Sequence, residues 1–249
     1  MSMPVQSVVG TLPATSIARR HPAFVPAMSS LLVVLVFLGF APTYYLRPES
    51  AGPIPAYLHV HGAAMTIWFL LLLVQTGLIA TRRRAVHRRL GFVGAVVAAV
   101  IVVLNPLVVA RSVPHLVMEG DPTQGDPIQL TALIVVADLL LVGIFLVLVG
   151  LAIRWRRYPE THSRMLLLAS LAVSGPALGR LSLNLLGAPL PGVIAVMSLP
   201  LLVVVHDRVL MKRVHPATAW GAAAIIGSLV FSVVVANTAA GGTIVQWFL

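Results

Sequence analysis

YLHVHGAAMTIWFLLLLVQTGLIATRRRAVHRRLG, residues Tyr57 to Gly91, decides the fold. It opens with His59 and His61, continues as an uninterrupted apolar segment, and closes in Arg82, Arg83, Arg84, Arg88 and Arg89 around a third histidine, His87. A helix needs about 20 predominantly apolar residues to cross the hydrocarbon core of a bilayer. This stretch supplies them, and the arginines at its end mark the side of the membrane on which it stops.

Composition extends that reading to the whole chain. Of 249 residues, 59% are hydrophobic and only 10% are charged, with a mean hydropathy of +0.98. Water is not the main solvent of such a chain. The formal charge of +10 does not indicate nucleic acid as a partner, because a nucleic-acid binder carries its basic residues on a folded surface. Here they sit in short clusters at the ends of apolar runs. The chain has no cysteine, which excludes disulfides, thiolate metal sites and thiol nucleophiles.

The predicted fold class is an all-α membrane protein, a bundle of seven transmembrane helices with the N-terminus cytoplasmic and the C-terminus extracytoplasmic. The spans fall at about Ala23 to Leu46, Pro55 to Ala80, Leu90 to Ala110, Pro127 to Ile153, Met165 to Leu186, Pro189 to Met211 and Pro216 to Asn237. Several open on proline, which is tolerated in a first turn because its missing N–H has no partner there. Residues Met1 to Pro22 read as a disordered cytoplasmic segment, and Ala23 to Leu249 as a single bundle domain. The first apolar run is too long for the core of a cleavable signal peptide and reads as a retained helix. The bilayer is the first partner this implies, and a bacterial inner membrane the location.

Loop charge tests the span count. Of the seventeen Lys and Arg residues, fourteen fall on the inner side of this topology, Arg47 and Arg111 fall outside, and Arg180 lies within a span. Such an asymmetry is the positive-inside signature and would collapse if one span were missed or invented. Glu49, Glu119, Asp121 and Asp126 lie outside. The connection from Ser112 to Asp126 reads as a long external loop of the kind that covers a site or stays flexible. The last stretch, Gly241 to Leu249, is expected at the interface through Trp247 and Phe248.

Ionisable side chains within a span are costly and mark function by default. Asp138 lies roughly 16 Å into the fourth span and Arg180 roughly 9 to 13 Å from the outer end of the fifth, at 1.5 Å per residue. They are within reach of an ion pair, as a register lock or as part of an anion or proton site. Asn184 follows Arg180 by one helical turn, and Asn105 stands at comparable depth before Pro106. Gly175-Pro176 should kink the fifth span. Freed carbonyls at such kinks are natural partners for Asn105 and Arg180. In the second span His61, Met65, Trp68, Leu72 and Gln75 share one face, while His59, Gly62, Thr66, Leu73 and Gly77 share another that suits close helix contact. His59 and His61, roughly 200° apart on a helix, cannot ligate one metal together.

At the inner ends of the spans stand His87, His162, His206 and His215, with Glu160 and Asp207 nearby in sequence. Each suits an interfacial role; together they suit axial ligation of haem or a metal bound by imidazole. No zinc-type histidine spacing is present. A retinal protein would need a lysine deep in a span, and Lys212 lies at a span's end. Ser174-Gly175 has no histidine at its depth for a serine protease, and there is no phosphate-binding Gly-rich loop.

LHVHGAAMTIWFLLLLVQTGLIATRRRAVHRRLG, PETHSRMLLLASLAVSGPALGRL and HDRVLMKRVHPAT together resemble a group of uncharacterised bacterial multi-pass membrane proteins that share a domain of unknown function. The resemblance covers about Tyr57 to Trp220 and implies the topology without carrying over a catalytic residue. A looser similarity is to small membrane proteins that assist assembly of haem-copper oxidases.

Two functions are expected from these residues. One is a haem- or metal-linked redox or respiratory-assembly protein, with haem b or copper held by some of His59, His61, His87, His162, His206 and His215; a copper variant would recruit Met65, His115 and Met118 outside. The alternative is a small-molecule binder or transporter, with Asn105, Asp138, Arg180 and Asn184 lining an outward pocket. A structural role in a membrane-protein complex is the third.

Overall fold

A computed structural model describes residues 23–118, 120, 125–188 and 190–249. The segment Met1 to Pro22, expected to be disordered, and the acids Glu119 and Asp121 lie outside the described residues. Among the described residues the regular structure is all helical, without a strand. Its helices are α1 (Phe24–Phe40), α2 (Ala56–Ala80), α3 (Arg84–Met118), α4 (Pro127–Arg154), α5 (Pro159–Ala172), α6 (Gly175–Leu186), α7 (Leu190–Leu210), α8 (Pro216–Ala236) and α9 (Ala239–Gln246). Six helical stretches, the first running from Phe24 to Tyr45, are long and apolar enough to cross a membrane, and α5 with α6, bent by 47° at their break, brings the number to seven if the two are one span. The protein is thus a multi-pass helical membrane protein, and Phe92, Val103, Leu185 and Trp220, each more than 70% exposed, suit a lipid-facing surface.

Local chemistry sets the breaks. α2 ends at Thr81, whose N–H bonds back to the Gly77 carbonyl, and Arg82 takes a left-handed φ of 61° to reverse the chain. Three residues therefore separate α2 from α3, which pack side by side. At the start of α4 the Asp126 carboxylate accepts from the Ile128 N–H at 3.0 Å, with Pro127 in the first turn. Gly187, at φ 65°, closes α6 through its N–H to the Leu183 carbonyl.

The loop expected from Ser112 to Asp126 is shorter than its sequence suggested. α3 runs on through Pro106 and Pro114 to Met118, because Val113 is fully buried and holds that last part against the bundle. Each proline removes one internal hydrogen bond, and tertiary contact outweighs that loss.

α5 is the centre of the bundle. Leu167 to Ala172 are all buried to within 1%, with α1, α4, α7 and α8 as neighbours. The break expected at Gly175-Pro176 is present, since Pro176 has no N–H to continue the ladder. Beyond it, α6 packs mainly on α1 and α7, while α9 lies against α4 and α8. Two glycines let α6 dock. Gly39 of α1 lies directly against the Ala177 carbonyl, and a Cβ on Gly192 of α7 would meet the Gly179 Cα and the Leu178 carbonyl at 2.8 Å. Close backbone approach of this kind is the main source of helix attraction where lipid removes the hydrophobic drive.

α2 presents the two faces its spacing predicts. Trp68 and Leu72 are buried, and the indole N–H of Trp68 donates to Ser170 Oγ of α5 at 3.1 Å while its ring meets Phe145 edge-on at 4.8 Å. On the other face Gly62 admits the Tyr44 ring, which a Cβ would meet at 2.7 Å, and Thr66 bonds Tyr45 at 2.6 Å. Gly77 has nothing within 4 Å, so the close contact expected there is absent. The C-terminal stretch forms α9, buries Gly241 and Val245, and leaves Trp247 77% exposed.

Candidate functional site

The polar residues expected in the outer half converge in part. Arg180 of α6 acts electrostatically on both Asp138 of α4 and His61 of α2, so three helices direct ionisable groups to one neighbourhood. The ion pair expected between Asp138 and Arg180 is not closed, as their nitrogen and oxygen atoms stay beyond 4.0 Å. Instead the guanidinium sits 4.9 Å from the Phe40 ring centre and donates a long 3.4 Å hydrogen bond to the Pro176 carbonyl. That second contact is the kink-satisfying role its position predicts. Two further groups are poised without partners among the described residues, His61 Nδ1 and Asn105 Nδ2, both buried. Asn105 therefore does not serve a carbonyl freed by Pro106, because donation requires that nitrogen. Asn184 is exposed on α6.

His59 and His61 part as their spacing requires. His59 is exposed beside Tyr44, with rings 5.8 Å apart, while His61 turns inward. An apolar groove of about 450 Å³ runs from His59 along α2 and α3 past Ala63, Ile67 and Val96. A second cleft of about 170 Å³ lies where the start of α4 meets the end of α8, bordered by Gln129 and Asn237, whose side chains bond at 2.6 Å. Neither is lined by Asp138 or Arg180.

The histidines expected at the inner ends do not form one ring. His87 of α3 and His162 of α5 meet, with ring centres 6.3 Å apart and planes at 84°. His206 stacks on Phe24 at 3.6 Å, with Nδ1 3.5 Å from Asp207 Oδ1. His215 caps α8, its Nδ1 accepting from the Ala217 N–H at 3.1 Å, and its other nitrogen lies 3.4 Å from Thr161 Oγ1. Burial first, and then the Arg164 charge, lower the His215 pKa below its ordinary 6.5. Among the described residues, no three His, Cys, Asp or Glu side chains converge as a metal site. Nor are the copper candidates gathered: Met118 is 80% exposed and Met65 packs against the main core.

Sequence reasoning did not single out Asp207, which is 1% exposed and, among the described residues, a densely bonded carboxylate. Arg164 binds its carboxylate through Nε and a terminal nitrogen at 2.8 to 3.3 Å. Thr218 Oγ1 donates to it at 2.6 Å and the His215 N–H at 3.2 Å. A signal was present: Asp207 falls inside the predicted span Pro189 to Met211, and Arg164 immediately precedes the span predicted from Met165. These features define a helical membrane bundle with separate polar groups towards its two ends. No family model, curated protein or solved structure matches the chain.

Proposed function

We propose that this chain is a bacterial inner-membrane protein, N-terminus cytoplasmic and C-terminus extracytoplasmic, that binds or carries a small anion-bearing molecule in its outer half. Its kinship with the uncharacterised multi-pass group, suggested by the histidine and arginine motifs, is part of the same reading. The observation that carries it is Arg180, a charged side chain within a span that forms no ion pair with the nearby Asp138. A charge at that depth is costly, and a ligand carboxylate or phosphate offers it the bidentate partner that the chain withholds. The orphan nitrogens of His61 and Asn105 add polar capacity for the remainder of such a molecule. Asn184 stands one turn from Arg180, towards the outer end of α6.

The test is a thermal-shift screen of the detergent-purified protein against small carboxylates and organophosphates. A hit should disappear in Arg180→Ala while that variant still inserts and elutes as wild type. If no compound shifts the wild type, or if a hit survives in Arg180→Ala, the reading fails. A metal-linked redox or assembly role, with haem b or copper as candidate cofactor, is the second reading. The approach of His87 to His162 favours it over the other four histidines.

A further inference from the structure

The inner ends of α2, α3 and α5 bring together three side chains that neither the outer cluster nor the Asp207 network uses: Gln75, His87 and His162. The Ala152 carbonyl lies 2.9 Å from His162 Nδ1. A carbonyl only accepts, so Nδ1 carries the proton and donates, and the lone pair of the neutral ring is left on Nε2. This is the arrangement that orients a metal-ligating histidine, with the distal nitrogen free to bind and the proximal one tied to a backbone oxygen. His87 Nδ1 is buried with no hydrogen-bond partner. Gln75 donates Nε2 to the His87 carbonyl at 3.2 Å, which fixes its amide orientation and leaves Oε1, also buried, without a donor. The group therefore holds unused lone pairs and lacks a donor for them. Buried polar atoms in this state are costly unless something satisfies them.

The spacing identifies what fits. Metal–nitrogen bonds are about 2.0–2.1 Å, and each nitrogen lies roughly 1 Å from its ring centre, so two imidazoles on opposite sides of one ion have centres about 6 Å apart. The observed separation is 6.3 Å, with the rings perpendicular rather than stacked. We propose that His87 and His162 hold a single monovalent copper ion at the cytoplasmic ends of α3 and α5, with the Gln75 amide oxygen beside it.

The choice of ion follows from ligand number and charge. Zinc takes four ligands in closed sites and three plus water in open ones, and no third His or carboxylate converges here among the described residues. Cu(I) is closed-shell and content with two or three nitrogen or thioether donors. The ligands are neutral and the arginines at 82–84, 88 and 89 surround the start of α3, so a single positive charge is opposed less than a double one.

Anaerobic titration of the full detergent-purified chain with Cu(I) buffered by bicinchoninate tests the site, together with X-ray absorption of the loaded wild type. One equivalent per chain is expected, with a first shell containing two nitrogens. His87→Gln and His162→Gln should each weaken binding by at least about tenfold, whereas His59→Ala should leave it unchanged. Absorption of the wild type does not depend on how the variants fold. The proposal is overturned if the wild type takes up no more copper than the doubly substituted chain, if His59→Ala abolishes uptake equally, or if a Soret band shows these rings ligating haem iron instead.

Discussion

Arg164 of α5 and Asp207 of α7 form a side-on pair, with a terminal guanidinium nitrogen 2.8 Å from Oδ1 and Nε 3.1 Å from Oδ2. The carboxylate is 1% exposed and the arginine 12%. Thr218 and the His215 N–H occupy the remaining acceptor positions, so the pair ties α5, α7 and α8 together at one end of the bundle. Removing one member leaves the other buried and uncompensated. Arg164→Ala should therefore cost about 3–5 kcal/mol, read as a drop in the unfolding midpoint in mixed micelles. Replacing both residues by apolar ones of similar volume should cost less than either single change; a double variant worse than both would show that the pair contributes net stability.

His215 makes stability depend on pH in a defined direction. Its folded pKa lies below the ordinary 6.5, because burial and the Arg164 charge disfavour the protonated ring. As pH falls through about 6.5, the unfolded chain takes up the proton first, so stability is full above that value and declines below it. Protonation also removes the lone pair that caps α8. Unfolding midpoints at pH 7.5 and 5.5 should differ in wild type, and His215→Asn, which keeps a capping oxygen, should narrow the difference. An unchanged difference in that variant would place the titration elsewhere.

Two glycines in different helices should respond oppositely to alanine. At Gly192 a Cβ meets backbone atoms of Leu178 and Gly179 at 2.8 Å, which cannot swing aside. Gly192→Ala should cost about 1–3 kcal/mol as overpacking. At Gly77 a Cβ meets nothing within 4 Å, and the gain in helix propensity, about 1 kcal/mol, is available. Equal effects in the two variants would refute the docking of α6 on α7 described above.

The absence of cysteine makes topology directly measurable. Ser50→Cys, before α2, and Thr81→Cys, after it, are both at exposed positions. With arginines inside, a membrane-impermeant maleimide should label Ser50→Cys in intact spheroplasts and Thr81→Cys only after permeabilisation. The reverse pattern would invert the proposed orientation.

Ser170→Ala leaves the Trp68 indole N–H without its acceptor at a buried contact. The expected cost is about 1–3 kcal/mol, visible as a lowered midpoint. Trp68→Phe should relieve part of that loss in the Ser170→Ala background, a non-additivity that a double-mutant cycle measures.

Most of the architecture was legible because a membrane imposes length on a helix. The predicted limits Pro55 to Ala80 and Pro127 to Ile153 agree with α2 and α4 to within a residue at each end. The kink before Arg180 was legible as well, since proline removes a specific hydrogen bond wherever it stands. The end of α3 was not, because Pro114 and the polar residues after it resemble a loop until Val113 is seen buried against α4 and α9.

The sequence by itself determined the class, the limits of most spans and the two faces of α2, all of which follow from periodicity and hydropathy along one dimension. Only the tertiary structure decided which charges meet. Asp138 and Arg180 stand at compatible depths yet do not close, while Arg164 and Asp207 do, because depth is a coordinate along the helix and pairing also needs rotation and helix order. The same is true of the histidines: six positions near helix ends reduce to one close imidazole pair, His87 with His162, where the first turns of α3 and α5 approach each other.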